Sequence, residues 1–382
     1  MLWLDCPMLA EARSSSTSGT PDNALAKTHI AIIGAGCASL SLAALANELP
    51  RTQLHIIEPS YPAHADHVWG FWAMDWLDRV RPLVRKSWHK WMIVTEQSHN
   101  VMHAVQHPYQ AISRHQWLAQ CRDQAVQHGV TFHDSLDAAR LEAAADIFDS
   151  RPPKVPDGVM LQHFAGFEVR APAGSFDEST AILMDFRCDQ SHGMHFIYCL
   201  PFSDRDALVE STMFSPQQAP QPFYEKAIAD WLTEVAKISN FDITRREAGV
   251  IPLGFFARHD PDLRGIGANA GAIRPSSGYA FGFILKQIHH ALARVKEGKP
   301  LVFITPHRMI DLWMDRIFLS VLRYQPQIAP KIFSAMASRL SGDEFAMFLS
   351  GEATMGLRLK VILAMPIWPF LRALFRPEPD AS

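Results

Sequence analysis

The chain of 382 residues is 48% hydrophobic and 20% charged, with a formal net charge of −3 at pH 7. This balance excludes a disordered or fibrous protein, and the lack of a basic excess argues against a nucleic-acid partner. The length suits two intertwined domains, and five cysteines without a CxxC pair predict neither a disulfide framework nor a zinc site.

The N-terminal region contains a Ser/Thr-rich segment followed by a β-α-β unit. Residues 1–27 lack the basic start of a secretory signal, so we interpret them as a loose leader. Residues 30–47 are uncharged over 18 positions, but they divide into a strand at 30–33, a glycine turn and a helix at 40–49. Each piece is too short to span a membrane. Residues 53–58 form the second predicted strand.

The rest of the chain is first strand-rich and then helix-rich. In chain order, the patterns predict a tryptophan-rich segment at 64–91, helices at 114–128 and 138–145, a proline-rich link at 151–157, strands at 167–170, 181–187, 195–200 and 207–214, a helix at 223–235, a glycine-rich loop at 265–282, and helices at 281–295, 310–324, 330–340 and 345–349.

The first glycine turn, Gly34-Ala-Gly36, follows a predicted strand and opens a predicted helix. Gly34 permits a tight turn, and Gly36 lets a pyrophosphate approach the backbone at the positive end of the helix dipole. Glu58, at the end of the next strand, is placed to accept hydrogen bonds from a ribose. These features predict a dinucleotide site, and the alternative is an apolar turn with incidental glycines.

A second glycine cluster spans residues 265–278, ahead of the predicted helix at 281–295. A flavin site requires a backbone segment close to the far side of the ring system and ribityl chain. An NAD-only dehydrogenase has no need of such a segment. The two clusters together therefore favour FAD over NAD.

The order of these elements predicts an α/β fold. A Rossmann-like FAD-binding domain with a two-dinucleotide frame would carry an inserted, mainly antiparallel substrate sheet and a helical C-terminal region. The expected bounds are 28–66, 113–150 and 246–300 for the FAD-binding domain, 67–112 and 151–245 for the substrate-binding domain, and 301–376 for the helical, membrane-associating region.

Glu210 lies in a predicted strand, on the face that it shares with Leu208, Thr212 and Phe214. A carboxylate between apolar neighbours is either solvated at a sheet margin or buried and protonated. Burial would raise its pKa above the ordinary ~4.3 and make it a general acid. The residues alone favour the solvated strand face over the buried, protonated carboxyl.

We predict no metal site among the 18 histidines, because none of their clusters is accompanied by a set of carboxylates or cysteines that could complete a coordination sphere. The tryptophan-rich segment holds five of the ten tryptophans. Such a segment is most often core, but its density also suits the wall of a pocket for a large flat or polyene ligand, where aromatic faces can stabilise a passing cation.

The C-terminal tail contains eleven uncharged residues, 361–371, between Arg358, Lys360, Arg372 and Arg376. Eleven residues cannot span a bilayer, but with basic flanks they can lie in its interface. Peripheral membrane contact and an ordinary core helix ending at a proline are equally consistent with this pattern.

Together, these motifs resemble the bacterial-type lycopene cyclases over residues 28–375. The matching segments are Gly34-Ala-Gly36, His67-Val-Trp-Gly-Phe71, Ser113-Arg114, Gln162-His-Phe-Ala-Gly-Phe-Glu168, Met184-Asp185, Asp189-Gln190, Tyr198-Cys-Leu-Pro-Phe-Ser203, Leu208-Val-Glu210, Gly249-Val-Ile-Pro252, Gly271-Ala-Ile-Arg-Pro-Ser-Ser-Gly-Tyr-Ala-Phe281 and Ala364-Met-Pro-Ile-Trp-Pro-Phe-Leu-Arg372. The sequence departs from the family at Ser211, where an acidic residue is usual, and at Asn269, where glycine is common.

The resemblance implies an isomerase that closes the ψ-ends of lycopene into β-ionone rings without net redox change. It implies reduced FAD as the active cofactor, NAD(P)H as electron donor, and a location in the bacterial cytoplasm, peripherally bound to the inner membrane. The acid that protonates the polyene is either Glu210 or the flavin itself. The implied cofactor contacts are Gly34, Gly36, Glu58, Arg114, Gly271, Arg274, Pro275 and Gly278, and the implied substrate-pocket residues are Trp69, Phe71, Trp72, Asp185, Asp189 and Tyr279.

Two other functions would share this frame. A flavin-dependent monooxygenase or reductase acting on an isoprenoid lipid would show redox turnover. A non-catalytic flavin- or carotenoid-binding relative would bind FAD without converting lycopene.

Overall fold

The computed structural model describes residues 27–58, 66–139 and 146–375. The predicted leader up to residue 26, the end of the helix predicted at 138–145 and the basic residue Arg376 lie outside the described residues. The strands are β1 (Thr28–Ile33), β2 (Thr52–Ile57), β3 (Val68–Trp72), β4 (Lys86–Trp88), β5 (Lys90–Thr95), β6 (Ser98–His103), β7 (Tyr109–Ser113), β8 (Thr131–His133), β9 (Asp146–Asp149), β10 (Met160–Arg170), β11 (Thr180–Asp185), β12 (Met194–Pro201), β13 (Asp206–Ser215), β14 (Asp242–Leu253) and β15 (Arg264–Gly265).

The helices lie between the strands and beyond the last of them. They are α1 (Cys37–Ala43), α2 (Arg114–Gln127), α3 (Leu136–Ala139), α4 (Gln221–Asp230), α5 (Phe281–Lys296), α6 (Met309–Tyr324), α7 (Ala329–Ala337), α8 (Gly342–Leu349), α9 (Met355–Ala364) and α10 (Ile367–Leu374).

The first layer is a five-stranded parallel sheet in the order β15-β9-β1-β2-β8. A parallel sheet is covered on both faces, which explains why Ile32 of β1 is fully buried. Leu42 of α1 and Ile288 of α5 pack with it in one core. This arrangement confirms the predicted Rossmann-like domain.

The second layer is a seven-stranded sheet in the order β14-β10-β13-β12-β11-β5-β6. All its pairings are antiparallel except that of β5 with β11, so the predicted, mainly antiparallel sheet is confirmed. A three-stranded sheet, β3-β7-β4, stands beside it. The domain boundary expected at residue 246 falls inside β14, which pairs with β10 along its length and therefore belongs to the large sheet.

The C-terminal region is helical, as predicted, and packs onto the large sheet. α7 lies against β5 and β6, and its Phe333 stacks on Phe186, which directly follows β11, with ring centroids 6.0 Å apart. α10 packs against α6. Among the described residues, no helix combines the length and the apolar composition that crossing a membrane requires.

Several elements differ from their predicted bounds for local reasons. The helix predicted at 40–49 begins earlier, at Cys37, because Gly36 adopts the extended backbone of an N-cap, and it ends at Ala43. The helix predicted at 223–235 changes to a π-helix from Trp231 onward. β14 was not predicted, because its charged residues and a proline obscure the alternation of apolar and polar residues that indicates a strand.

Candidate active site

A cavity of about 730 Å³ lies between the Rossmann-like domain, the large sheet and the C-terminal helices. Cys37, Arg114 and Ile284 line it on the side of the first glycine turn, and Glu210 lines it on the side of the large sheet. This volume is within the range of pockets that hold small molecules and cofactors. The cavity therefore extends from the predicted acid to Cys37, which is next to the first glycine turn, although Gly34, Gly36 and Glu58 do not line it.

The first glycine turn has the geometry that a dinucleotide requires. Gly34 has φ +98°, and a Cβ atom there would lie 2.6 Å from the Ser150 hydroxyl oxygen, so glycine is needed for the turn itself. At Gly36 a Cβ atom would meet no atom within 4 Å, so the space in front of the backbone is open. An open backbone at the start of α1 fits a pyrophosphate.

The second glycine cluster packs directly against α1. A Cβ atom on Gly267 would lie 2.4 Å from that of Ala38, so no side chain fits between Gly267 and this helix. Gly278, with φ +68°, lines the cavity, whereas Gly271 and Pro275 do not. Asn269, the residue that departs from the family pattern, is buried and donates a hydrogen bond to the Asp149 carbonyl at 3.1 Å.

The predicted polar contacts to the cofactor divide into two groups. Arg114 lines the cavity, and Glu58 follows β2 as expected, paired with Arg122. Arg274 also lines the cavity, but it is only 2% exposed, and its guanidinium donates to Asp315 at 3.2 Å and to the Phe348 carbonyl at 2.8 Å. The Arg274 side chain therefore fastens the second glycine cluster to the C-terminal helices rather than presenting its charge to a ligand.

Three buried polar atoms belong to residues that line the cavity, and they fit a polar ligand. The Gln162 carbonyl oxygen Oε1, the Ser277 hydroxyl Oγ and the Trp72 indole Nε1 have no hydrogen-bond partner among the described residues. Buried polar groups normally have partners, so a bound group with donors and acceptors suits this position. Gly278, which is next to Ser277, faces the same space.

Glu210 lies on β13 and faces the cavity with Thr212 and Phe214, as the strand alternation predicted. Burial, followed by the charge of Glu247, raises the pKa of the Glu210 carboxyl to about 8, while the Thr212 hydroxyl donates to Oε1 at 2.6 Å and opposes this rise. Glu210 is half-buried in the wall of the cavity, and its raised pKa favours the protonated interpretation over the solvated one. A protonated carboxyl in an apolar cavity is able to act as a general acid.

Three tyrosines surround the acid. The hydroxyl groups of Tyr109 and Tyr198 are 2.8 Å apart, and Tyr279 hydrogen-bonds Tyr109. Burial raises the pKa of all three phenols well above their ordinary value, so they stay neutral near pH 7. Trp72 packs edge-on against Tyr109 with ring centroids 5.0 Å apart. Sequence reasoning did not assign Tyr109 or Tyr198 to the site, although Tyr198 opens one of the segments that match the family.

The predicted pocket residues are only partly brought together. Trp69, Trp72 and Tyr279 line the cavity. Phe71 does not, because it packs behind the wall against Phe281 with ring centroids 5.3 Å apart.

Asp185 and Asp189 were predicted to belong to the substrate pocket, but neither lines the cavity. Asp185 is fully buried and binds the Arg187 guanidinium at 2.7 Å and the Trp231 indole N–H at 2.9 Å. Asp189 lies in the turn before β12, where its carboxylate accepts from the Ser191 backbone N–H at 2.8 Å.

Two carboxyl side chains line the cavity, the predicted Glu210 and Asp315, which is paired with Arg274. The sequence did not point to Asp315, nor to Glu247 on β14, which does not line the cavity but whose charge acts on Glu210. A useful signal was available, because Glu247 stands two residues before the family-like segment Gly249-Val-Ile-Pro252. Among the described residues, no group of three or more His, Cys, Asp or Glu side chains is arranged to hold a metal ion.

The far end of the cavity is bounded by the tail. Ile367, Phe370, Leu371 and Leu374 of α10 line it, although Ile367 is also 60% exposed. Arg358 was expected to be a basic flank of the apolar tail segment. In the structure it is buried in an ion pair with Asp311, so it cannot serve as an exposed flank.

Comparison with known proteins identifies the family. The family described as "Lycopene cyclase protein" matches residues 29–375. The chain belongs to the lycopene cyclase family. A lycopene beta-cyclase of Pantoea ananas is 23% identical over 393 residues, which cover 90% of this chain and 96% of that protein. A lycopene beta-cyclase of a Paracoccus species is 27% identical over 290 residues, which cover 67% of this chain and 71% of that protein.

Solved structures resemble this lycopene cyclase family member in fold. A geranylgeranyl bacteriochlorophyll reductase-like protein from Thermoplasma acidophilum has a TM-score of 0.57 at 10% identity, covering 92% of this chain and 99% of that one. A Diels-Alderase of pyrroindomycin biosynthesis has a TM-score of 0.51 at 11% identity, covering 86% of this chain and 81% of that one. Both show the arrangement of the layers and nothing about the reaction.

Proposed function

We propose that this chain is a flavin-dependent lycopene β-cyclase, which converts the ψ-ends of lycopene to β-ionone rings in carotenoid biosynthesis. Membership in the lycopene cyclase family supports the reaction class. The observation that carries the proposal is the position of the Glu210 carboxyl, which faces a mainly apolar cavity that also reaches Cys37 beside the first glycine turn and Gly278 of the second cluster. Burial and the charge of Glu247 raise the pKa of this carboxyl to about 8, which suits a general acid.

In the proposed reaction, Glu210 donates its proton to a terminal double bond of the polyene. The resulting carbocation closes the ring, and loss of a proton from a ring carbon gives the product, so substrate and product are isomers. Trp69 and Trp72 present aromatic rings to the same space, and such rings can stabilise a cation. The neutral phenols of Tyr109, Tyr198 and Tyr279 help to keep the cavity apolar, and an apolar cavity protects the cation from capture by water.

The cofactor of the proposed reaction is FAD in its reduced form, with NAD(P)H as the electron donor. Bound reduced FAD would supply negative charge near the cation. The residues that would hold FAD are Gly34, Gly36 and Glu58 of the first β-α-β unit, with Arg114 and Gly278 bordering the cavity.

We further propose that the protein works in the bacterial cytoplasm, bound peripherally to the inner membrane through α9 and α10. Trp368 is 75% exposed and Phe375 87% exposed, beside other exposed apolar side chains of the same two helices. Contiguous exposed apolar surface of this kind marks an interaction site. Because α10 also borders the cavity, a hydrocarbon substrate would reach the acid directly from the lipid.

The experiment that tests the function is expression in a lycopene-accumulating bacterium, with the pigments separated by chromatography. Wild-type protein should form cyclic carotene. Glu210→Gln keeps the shape of the side chain but lacks the transferable proton, so cyclisation should fall by about 10²–10⁴. Glu210→Asp should retain little activity.

A matched control is Glu178→Gln, the same substitution at an exposed glutamate paired with Lys86. Its cyclisation and flavin content should equal those of the wild type, and the flavin content of Glu210→Gln should also be unchanged. Cyclic carotene at a wild-type rate from Glu210→Gln would contradict the proposed acid. Wild-type protein that binds flavin but leaves lycopene unconverted would contradict the proposed function.

A further inference from the structure

Glu210 and Glu247 stand in one row across the large sheet, on either side of a glycine. In the antiparallel pairings, Glu247 of β14 is opposite Gly166 of β10, and Gly166 is opposite Glu210 of β13. Directly opposite residues in antiparallel strands project from the same face. The two carboxyl side chains therefore leave the same face of the sheet, with a residue between them that has no side chain.

The space over Gly166 is filled from both sides. A Cβ atom on Gly166 would lie 3.1 Å from Cγ of Glu247 and 3.5 Å from Cβ of Glu210. Any side chain at this position would separate the two glutamates. Glycine at residue 166 therefore lets the two carboxyl groups approach each other.

The surroundings of the two carboxyl groups differ. Arg245 contacts Glu247 at 2.7 Å, and the Val68 backbone N–H donates to Glu247 at 3.2 Å. Glu247 is 5% exposed and does not line the cavity. No ion pair within the described parts of the chain reaches Glu210, which does line the cavity.

The other groups near Glu210 carry no charge near pH 7. Thr212 is on its own strand, Tyr198 is opposite it on β12, Tyr109 lies on β7, and Tyr279 precedes α5. The phenols are neutral because burial raises the pKa of each.

The groups near Glu247 include a cation and an imidazole. Burial outweighs the Arg245 charge and hydrogen bond, the Val68 N–H and the imidazole of His67, so the pKa of Glu247 is raised overall. Two close carboxylates cannot both ionise without a large electrostatic cost. Because only Glu247 has an arginine to oppose the effect of burial, Glu247 is the group that ionises first and Glu210 the group that keeps the proton.

We propose that Glu247 is a positioning residue, whose carboxylate, held ionised by Arg245 across the gap at Gly166, keeps Glu210 protonated. Glu247 acts through Glu210 and touches no substrate. The inference rests on the proposed role of Glu210 as the acid and adds the group that controls its proton.

The test is a pH titration of the Glu210 carboxyl in the purified, flavin-loaded protein. Its protonated form is followed by infrared absorption, as the difference between a protein with Glu210 and the same protein with Glu210→Gln. In Glu247→Gln the titration midpoint should fall by about one unit or more, because the neighbouring charge is gone. Glu247→Asp keeps that charge and should retain a midpoint close to that of the wild type.

Cyclisation should follow the same shift. The acid is active when protonated, so activity is lost as the pH rises through the pKa of Glu210. In Glu247→Gln this loss should occur at a lower pH by the same amount. A titration that shifts without any cyclisation in the wild type would support the role of Glu247 and contradict the proposed function.

The matched control is Glu168→Gln, which removes the other carboxylate bound to Arg245, at 2.8 Å. This change alters the same ion-pair network without altering the charge beside Glu210, so the midpoint should not fall. An unchanged midpoint in Glu247→Gln, or an equal fall in Glu168→Gln, would overturn the proposal.

If Glu247→Gln does not fold, Arg245→Gln tests the same point. Without the arginine, Glu247 should take up a proton, so the Glu210 midpoint should again fall. An unchanged midpoint in that variant would also overturn the proposal.

Discussion

Arg358 of α9 and Asp311 of α6 form a buried ion pair, with Nε–Oδ1 and Nη2–Oδ2 distances both 2.7 Å. Their side chains are 1% and 4% exposed. Arg358 also donates to the Ala353 carbonyl. The pair joins the start of α9 to α6 and so fixes the helix that precedes the exposed tail.

Removing one partner of this pair should destabilise the protein strongly. Arg358→Met leaves Asp311 as an uncompensated buried charge, so the free energy of unfolding should fall by about 3–5 kcal/mol. Urea titration followed by circular dichroism measures this change. The control is Lys360→Met, which breaks an exposed pair with Glu344 and should cost about 0–1 kcal/mol. An equal decrease in the free energy of unfolding for the two substitutions would show that the buried pair contributes no more to stability than the exposed one.

The second prediction concerns the first glycine turn. Gly36→Val should abolish flavin binding, because its side chain would occupy the open space in front of the backbone, while the fold tolerates it. Flavin absorbance of the purified protein should fall at least about tenfold, and the melting temperature of the flavin-free protein should be unchanged. The same substitution at Gly356 in α9 is the control and should keep the flavin. A normal flavin spectrum in Gly36→Val would refute this assignment.

The third prediction concerns the exposed tail. Fully burying a large apolar side chain contributes about 1.5–3 kcal/mol, so Trp368→Ala with Phe375→Ala should weaken binding to anionic liposomes at least about tenfold. Flotation in a density gradient measures the bound fraction. The control double variant, Val105→Ala with Met309→Ala, removes equally exposed apolar side chains elsewhere. If both double variants float like the wild type, the tail does not bind lipid.

Much of the Rossmann-like domain could be predicted, because its signals are local in sequence. The turn at Gly34 and Gly36 follows a β-branched run and precedes a helical pattern, so neighbouring residues carry all the information. Glu210 was found for the same reason, since strand alternation fixes which side chains share its face. Its surroundings could not be predicted, because Tyr109 on β7, Tyr279 before α5 and Glu247 on β14 are distant from it along the chain.

The row of Glu247, Gly166 and Glu210 could not be predicted from the sequence. It depends on the register of three strands that are distant in the chain, and register has no local signal at these positions. The charged residues around Glu247 suggest a surface segment. In the structure, Arg245 is partly buried and binds two glutamates.

Asp185 is the opposite case, a residue that was predicted to belong to the site but does not line the cavity. Its place in a family motif suggested the pocket, but its neighbours Leu183 and Met184 are the residues that line the cavity. The pairing of β11 with β12 shifts register between Ile182 and Asp185, and Asp185 binds Arg187 and Trp231 outside the cavity. A motif can therefore reflect an internal ion pair rather than a contact with ligand.

Two separate stretches of the chain build the large sheet, the first with β5 and β6 and the later one with β10 to β14. The parallel pairing of β5 with β11 joins these two stretches, with Lys90 opposite Thr180. During synthesis, β5 and β6 have no partner on that side until β11 has left the ribosome. An excised fragment with only the later strands would leave the β11 edge open, and open strand edges promote aggregation. No single cut in the chain therefore separates the Rossmann-like domain from the large sheet, and the protein must fold as one unit.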